Sequence, residues 1–385
     1  MSQPIKILFF TGNRSEFGLA TPILNRIKKE NDMEYRLIVS GTHLSEEYGF
    51  TIQEILAEGV EVHHRIDIGV KGKSNLDVLQ EMARLLDQVG SIIQDECPDY
   101  FFVLGDRYES FAAALAAFYL NIPVVHRGGG YITQGGCSDD VVRHLITKLA
   151  VLHFVTSEAE KEILGKLGEE DWRIFVNGYP LGETLREEEL YSKAEMAELL
   201  GLDFSRPVLV FTQHPISAQE DMAMEQVRES LIALGELGYQ TVITYPNSDA
   251  GGANIIEEYS RWAETPNFIF YRNLGKKKYL SVMKYCSVVV GNSSSGLLET
   301  PFFKVPAVNI GKRQEGRIRS NNVIDVDYDR QQIEQAIEKA IFDQQFRDTL
   351  RHDCSSFDNS EFSDLIIDNL RRYHNCPGLL NKRIK

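Results

Sequence analysis

The sequence predicts an α/β protein built from two doubly wound, Rossmann-like domains. Short β-branched runs alternate with amphipathic stretches, the pattern of βα units that feed a parallel sheet. The alternation breaks once, over residues 177–207, where strand-like runs stop and charge rises. The chain of 385 residues is also too long for one ordinary core, because hydrophobic cores stop growing at about 250–300 residues.

The strand-forming runs of the first half are Ile5–Thr11, Tyr35–Ser40, His64–Ile68, Tyr100–Leu104, Pro123–His126, His153–Thr156 and Ile174–Asn177. Between them, "SEFGLATPILNRIKKE" and "YESFAAALAAFYLN" place apolar residues at helical spacing. A second series follows the charged stretch: Val208–Phe211, Thr241–Thr244, Phe268–Tyr271, Ser287–Val290, Ala307–Ile310 and Val323–Val326. The predicted domains are residues 1–180 and 181–365. Residues 366–385 form a C-terminal helix that packs back on the first domain. The strand C-termini of both domains are expected to face one cleft, where open α/β sheets bind their ligands.

A net charge of −15 argues against nucleic acid or an anionic membrane as partner. It leaves room for an anionic small molecule held by local positive charge. No apolar run reaches the roughly 18 residues of a membrane span, and the N-terminus lacks the basic region and cleavage site of a signal peptide. The five cysteines, Cys97, Cys137, Cys286, Cys354 and Cys376, have no CxxC pair. Reduced thiols in a cytoplasmic protein fit better than disulfides or zinc.

Ligand-binding residues are therefore sought after each strand. "TGNRSEFG" follows the first, and a glycine turn, Arg14 and a helix start together suit an anion. The same residues also suit a tight turn with a solvated arginine. "GDRYES" sets Asp106, Arg107 and Glu109 at a strand end, either as a carboxylate tuned by its arginine or as a plain ion pair capping a helix. "FTQHP" puts His214 before a proline, as a structural residue or a phosphate contact. "TYPNSDAGG", residues 244–252, is a polar connecting turn.

"GNSSSGLLETP" is sharper. Asn292, Ser293, Ser294 and Ser295 precede a predicted helix that carries Glu299. Amide groups and hydroxyls there form an anion site, and Glu299 is suited to ribose hydroxyls. A simple N-cap cluster is the alternative. The lysine of GxxxxGK[ST] is missing, which disfavours an NTPase loop. Lys312, Arg313, Arg317 and Arg319 then make the densest basic cluster of this acidic chain. "VVHRGGGYITQGGCSDDVVRH", residues 124–144, contains His126, Tyr131, Asp139, Asp140, Arg143 and His144 around two glycine clusters.

In this order, the motifs "ILFFTGNRSEFG", "SGTHLSEEYGFTIQEI", "GDRYES", "VVRHLITKLAVLHFVTSEAEKEIL", "TYPNSDAGGANII", "GNSSSGLLETP" and "NIGKRQEGRIRSNNVIDV" resemble the hydrolysing UDP-N-acetylglucosamine 2-epimerases of sialic and legionaminic acid biosynthesis. The resemblance covers nearly the whole chain. It implies a glycosyltransferase-B-like fold with a nucleotide sugar in the interdomain cleft and no metal or redox cofactor. A cytoplasmic dimer or tetramer is also implied.

It further implies that Arg14 and His214 contact the diphosphate, beside Asn292 and Ser293 to Ser295. Glu299 holds the ribose and Arg313 lies near the nucleotide. Asp106 belongs to the acid/base group with Arg107 as support, while His126, Asp139, Asp140, Arg143 and His144 line the sugar side. The implied reaction removes the C2 proton, eliminates the nucleoside diphosphate to leave a glycal, and adds water to the other face.

One stretch departs from the family. Where its members read H-x-E-G-G-E or H-x-H-G-G-E, this chain reads His126-Arg127-Gly128-Gly129-Gly130-Tyr131, in a loop about one residue longer. Gly128 stands at the first glutamate's position and cannot transfer a proton, a role worth on the order of 10²–10⁴-fold. Tyr131, Glu109, Asp139 and Asp140 are the candidate replacements. Arg127 is expected as a new cation at the sugar side that lowers the pKa of Tyr131. Hydrolysis without epimerisation, glycosyl transfer and silent nucleotide-sugar binding are the competing functions.

Overall fold

The computed structural model describes residues 3–71, 75–132, 138–247, 251–352, 359 and 361–383. Cys137, Cys354 and residues 248–250 of the "TYPNSDAGG" turn lie outside them, as do residues 133–137 of the long glycine loop. Cys97, Cys286 and Cys376 are free thiols. No described helix is long and apolar enough to cross a membrane.

All thirteen strand-forming runs become strands, each within two residues of its expected ends. In the first unit β1 (Ile5–Thr11), β2 (Met33–Ser40), β3 (His64–Ile66), β4 (Tyr100–Leu104), β5 (Val124–Arg127), β6 (Leu152–Val155) and β7 (Ile174–Val176) form one sheet in the order β3-β2-β1-β4-β5-β6-β7. The second unit has β8 (Val208–Thr212), β9 (Gln240–Thr244), β10 (Phe268–Tyr271), β11 (Val288–Gly291), β12 (Ala307–Ile310) and β13 (Val323–Val326), in the order β10-β9-β8-β11-β12-β13. Every pairing is parallel. Both orders reverse direction beside their first strand, the doubly wound arrangement.

Strand β1 shows why these runs are strands. Successive side chains point to opposite faces, so Ile7 and Phe9 join one apolar layer while Leu8 and Phe10 join the other. With both faces covered by helices, the run from Ile7 to Phe10 is apolar throughout rather than alternating. Strand β8 repeats the device, with Leu209 and Phe211 on one side and Val208 and Val210 on the other.

The chain divides into a first unit, made of residues up to Tyr131, Ser138–Thr184 and the segment from Asn359 on, and a second unit made chiefly of Leu185–Asp358. The helix Phe362–Tyr373 thus belongs with the first sheet, and Phe362, Ile366, Ile367 and Leu370 join its core. Each such side chain contributes about 1.5–3 kcal/mol when fully buried. Polar clamps finish the attachment. Arg173 donates to the carbonyls of Leu379 and Asn381, and the Lys382 ammonium donates to those of Thr147, Lys148 and Ala150.

Candidate active site

Strands β1, β4 and β5 are neighbours, so the loops after them share one end of the first sheet. The helix Ser138–Leu149 projects Arg143 toward them. Arg143 is 1% exposed. Its Nε donates to Asp106 Oδ2 at 3.0 Å and its Nη2 donates to the same oxygen. Its Nη1 donates to Asp140 Oδ1 at 2.6 Å and to the Tyr131 carbonyl at 2.9 Å. Burial opposes the guanidinium's charge, but the Asp106 and Asp140 carboxylates outweigh it and hold its pKa above the ordinary arginine value. One buried cation therefore fixes two carboxylates and the start of the glycine loop's exit.

His144 stands one residue further along, with Nε2 3.8 Å from Asp140 Oδ2. Burial lowers its pKa, and Asp140 partly offsets that. Asp139 makes its charge felt at Glu109. Asp106, Tyr131, Asp140, Arg143 and His144 are thus brought together.

Glu109 occupies a different layer. It is fully buried, and neither carboxylate oxygen accepts a hydrogen bond among the described residues. Its ion pair is with Arg107, Nε to Oε2 at 3.6 Å. Burial raises its pKa and Arg107 opposes the rise. A Cβ on Gly12 would meet Glu109 Cβ at 3.1 Å, so Glu109 lies directly behind the turn that leads to Arg14. Arg14 itself opens the helix Arg14–Ile27 and pairs with Glu54 at 3.6 Å.

Two expectations for the glycine loop change. Arg127 is not a free cation: it is 1% exposed and its guanidinium is bonded within the fold. Its Nη2 donates to Thr156 Oγ1 at 3.1 Å and to the Gly178 carbonyl at 2.7 Å, and it lies over the Tyr179 and Phe362 rings. Strand alternation is the reason, because His126 and Arg127 are adjacent on β5 and must point to opposite faces. Arg127 and Tyr131 share Thr156, whose hydroxyl also bonds the Tyr131 hydroxyl. His126 turns the other way and is fully buried. Its Nε2 donates to the Gly105 carbonyl at 2.9 Å and its Nδ1 accepts from Thr147 Oγ1 at 3.2 Å. Burial lowers its pKa to about 3, so it is a neutral brace between β4 and the helix Ser138–Leu149.

The glycines explain why the loop departs from the family's sequence. Gly128 has φ +106°, a conformation costly for any residue with a Cβ. A Cβ on Gly130 would sit 2.6 Å from the Glu160 carbonyl oxygen. A glutamate at position 128 would need a different backbone.

In the second unit Asn292, fully buried at the end of β11, is the organising residue. Its Oδ1 accepts from the His214 amide at 2.6 Å and its Nδ2 donates to the His214 carbonyl at 2.8 Å. Arg313 Nη1 and Gln314 Nε2 donate to the Asn292 carbonyl at 3.2 and 2.8 Å. The Asn247 amide donates to His214 Nδ1 at 3.0 Å, which leaves Nε2 as the donor nitrogen of a neutral ring. Arg319 is paired with Asp325, so the basic cluster is neutralised there while Arg313 turns toward Asn292.

The serine turn differs from expectation in one respect. Its helix is broken into Ser295–Leu298 and Thr300–Phe303, and Glu299 joins the two. Pro301 is the cause, since it lacks the N–H that would continue the first helix. Ser293 Oγ accepts from the Ser295 amide at 3.4 Å, and Ser294 is the N-cap.

Sequence reasoning missed Thr156 and Glu16. Thr156 has no local signal, because its partners come from β5 and the loop after it. Glu16 had one. Asn13 caps the helix and Glu16 follows three residues later, the spacing of a capping box. The Glu16 amide donates to Asn13 Oδ1, and its carboxyl reaches back to the Gly12 amide at 2.7 Å.

Residues 25–371 match the UDP-N-acetylglucosamine 2-epimerase family. The chain belongs to that family. It is 33% identical over 337 residues to the GDP/UDP-N,N'-diacetylbacillosamine 2-epimerase (hydrolyzing) of Campylobacter jejuni, covering 87% of each chain. It is 33% identical over 322 residues to the UDP-N,N'-diacetylbacillosamine 2-epimerase (hydrolyzing) of Legionella pneumophila, covering 84% of this chain and 85% of that one. The crystal structure of UDP-GlcNAc 2-epimerase from Neisseria meningitidis bound to UDP-GlcNAc superposes with a TM-score of 0.83 at 18% identity, over 96% of this chain and all of the other. The two-sheet architecture is therefore the epimerase family's fold, and the hydrolysing-epimerase expectation agrees with its relatives.

Proposed function

We propose that this epimerase-family chain is a hydrolysing 2-epimerase. It converts a nucleoside-diphosphate N-acetylated amino sugar to nucleoside diphosphate and the free 2-epimeric sugar. The observation that supports this most is the Asp106–Arg143–Asp140 cluster, bonded to the Tyr131 carbonyl at the end of β4 and β5. It is an acid/base group that persists without the family's glutamate. The relatives act, by name, on N,N'-diacetylbacillosamine nucleotides, so a 2,4-diacetamido sugar is the substrate class to try first.

In this mechanism a carboxylate of the Asp106/Asp140 pair takes the C2 proton, and Arg143 holds both in place. The C1–O bond to the diphosphate then breaks, leaving a glycal. Water adds its hydroxyl to C1 while a proton returns to C2 from the opposite face, with Tyr131 and His144 lining that side beside Asp139. Arg14, Arg313, Ser293, Ser294, Ser295 and His214 Nε2–H contact the diphosphate, Asn292 orients His214, and Glu299 takes the ribose. Arg107 and Glu109 support the β4 turn. The protein works in the cytoplasm as a homo-oligomer in an acidic-sugar pathway.

The test is incubation with UDP- and GDP-linked sugars in D₂O under NMR. Released nucleoside diphosphate and a 2-epimeric sugar deuterated at C2 are expected. Gly128 favours a second reading, hydrolysis without epimerisation, and a product that keeps both its C2 proton and its configuration would establish that one instead.

A further inference from the structure

The Glu16 carboxyl is 2% exposed and lies where two active-site turns meet. Its Oε2 accepts from the Gly12 amide at 2.7 Å, and its Oε1 is 2.9 Å from Ser110 Oγ. Ser110 Oγ is in turn 3.2 Å from the Leu104 carbonyl. A hydroxyl has a single hydrogen. If Glu16 is ionised, Ser110 faces two acceptors and satisfies one. If Oε1 carries a proton, Glu16 donates to Ser110, Ser110 donates to Leu104, and every partner is satisfied.

The surroundings agree with the proton count. Among the described residues Glu16 has no salt bridge. The charged groups that face it are Glu109 and Arg107, both from the β4 side, and Arg107 is already paired with Glu109. Asp139 adds negative charge at Glu109. From its own helix, Glu16 meets the neutral cap Asn13. Burial first, and the neighbouring Glu109 second, lift the Glu16 pKa from 4.5 to about 8. The start of a helix favours an anion, but that bias is the weaker influence on a carboxyl that is 2% exposed.

We propose that Glu16 is a positioning residue that acts as a neutral carboxylic acid, its proton bridging the turn after β1 to the helix after β4. The first turn leads into Arg14 and the second carries Asp106 and Arg107. The bridge thus sets the spacing between the diphosphate contact and the acid/base cluster. Losing the proton removes the donor to Ser110 and places a second negative charge against Glu109.

For its activity readout this inference rests on the epimerase reading, so the experiment has an arm that needs no substrate. Infrared difference spectra of the full chain, wild type against Glu16→Gln, should show the carbonyl band of a buried protonated carboxyl at neutral pH. The band should fade as pH rises through about 8. Its absence at neutral pH overturns the proposal whatever the reaction turns out to be. In turnover, Glu16→Ala should lose on the order of tenfold in kcat/KM. Glu16→Gln, which presents the same donor and acceptor, should recover it and should lack the wild type's alkaline fall. A folded Glu16→Gln protein as impaired as Glu16→Ala overturns the proposal. If the wild type turns over no nucleotide sugar, the epimerase reading fails and the infrared band alone decides Glu16.

Discussion

The two units share a fold and solve the problem of a binding turn by opposite means. The first packs charges: Arg143 against Asp106 and Asp140, Arg107 against Glu109. The second uses a neutral amide, Asn292, to gather His214, Arg313 and Gln314. A charged cluster can move protons and respond to pH. An amide hub only fixes geometry, which suits a nucleotide that leaves unchanged apart from its bond to the sugar. On the proposed reading, the chemistry belongs in the first unit and the recognition in the second.

Removing the buried cation should break this contrast most severely. Arg143→Met removes the guanidinium that pairs with both Asp106 and Asp140. Loss of one partner of a buried ion network costs about 3–5 kcal/mol. Both carboxylates keep some contact with water, so about 2–4 kcal/mol is expected by urea denaturation. Turnover should fall by on the order of 10²–10⁴, while UDP affinity by calorimetry changes little.

The second unit should be more sensitive to shape than to charge. A Cβ on Gly291 would lie 2.0 Å from the Thr212 carbonyl oxygen, at φ +125°. Gly291→Ala should cost about 2–3 kcal/mol of stability through overpacking and strain, read as a lower urea midpoint with an unchanged slope. Asn292→Asp deletes the donor to the His214 carbonyl and turns an oxygen toward it. UDP binding should weaken by about 1–3 kcal/mol in calorimetry, with the urea midpoint moving less than in Gly291→Ala.

A further effect concerns pH. Glu16 has a folded pKa of about 8 against 4.5 for an exposed carboxyl. Between those values the unfolded chain releases a proton that the native state keeps, so stability falls as pH rises and levels off above the folded pKa. Glu16→Gln should lack this slope. Urea midpoints taken across the window check it, and parallel wild-type and variant curves would count against it.

Much of this organisation is legible in the residues themselves. Strands such as β1 and β8 are contiguous apolar runs, so their existence needs no tertiary information. Asp106 and Asn292 follow strand ends, where a doubly wound fold places its site, and Arg143 lies in the helix after β5. Side-chain direction was harder to see. Arg127 reads as a free cation until β5 is placed in register and strand alternation turns it inward. Thr156 gains its importance from two residues distant in sequence, and nothing near it could signal that. The broken helix at Glu299 was foreseeable, since Pro301 stands two residues on.

The return of the chain to its first sheet also orders events during synthesis. The second unit has all six of its strands once Val326 has emerged. The first unit's sheet exists far earlier, yet its apolar face stays uncovered until Phe362, Ile366 and Leu370 arrive. Lys382, near the far end, then ties down the carbonyl end of the helix that carries Asp140 and Arg143. The first sheet is thus completed by residues that follow the second unit, and the helix that carries Asp140 and Arg143 gains this anchor only after the second unit's strands have emerged.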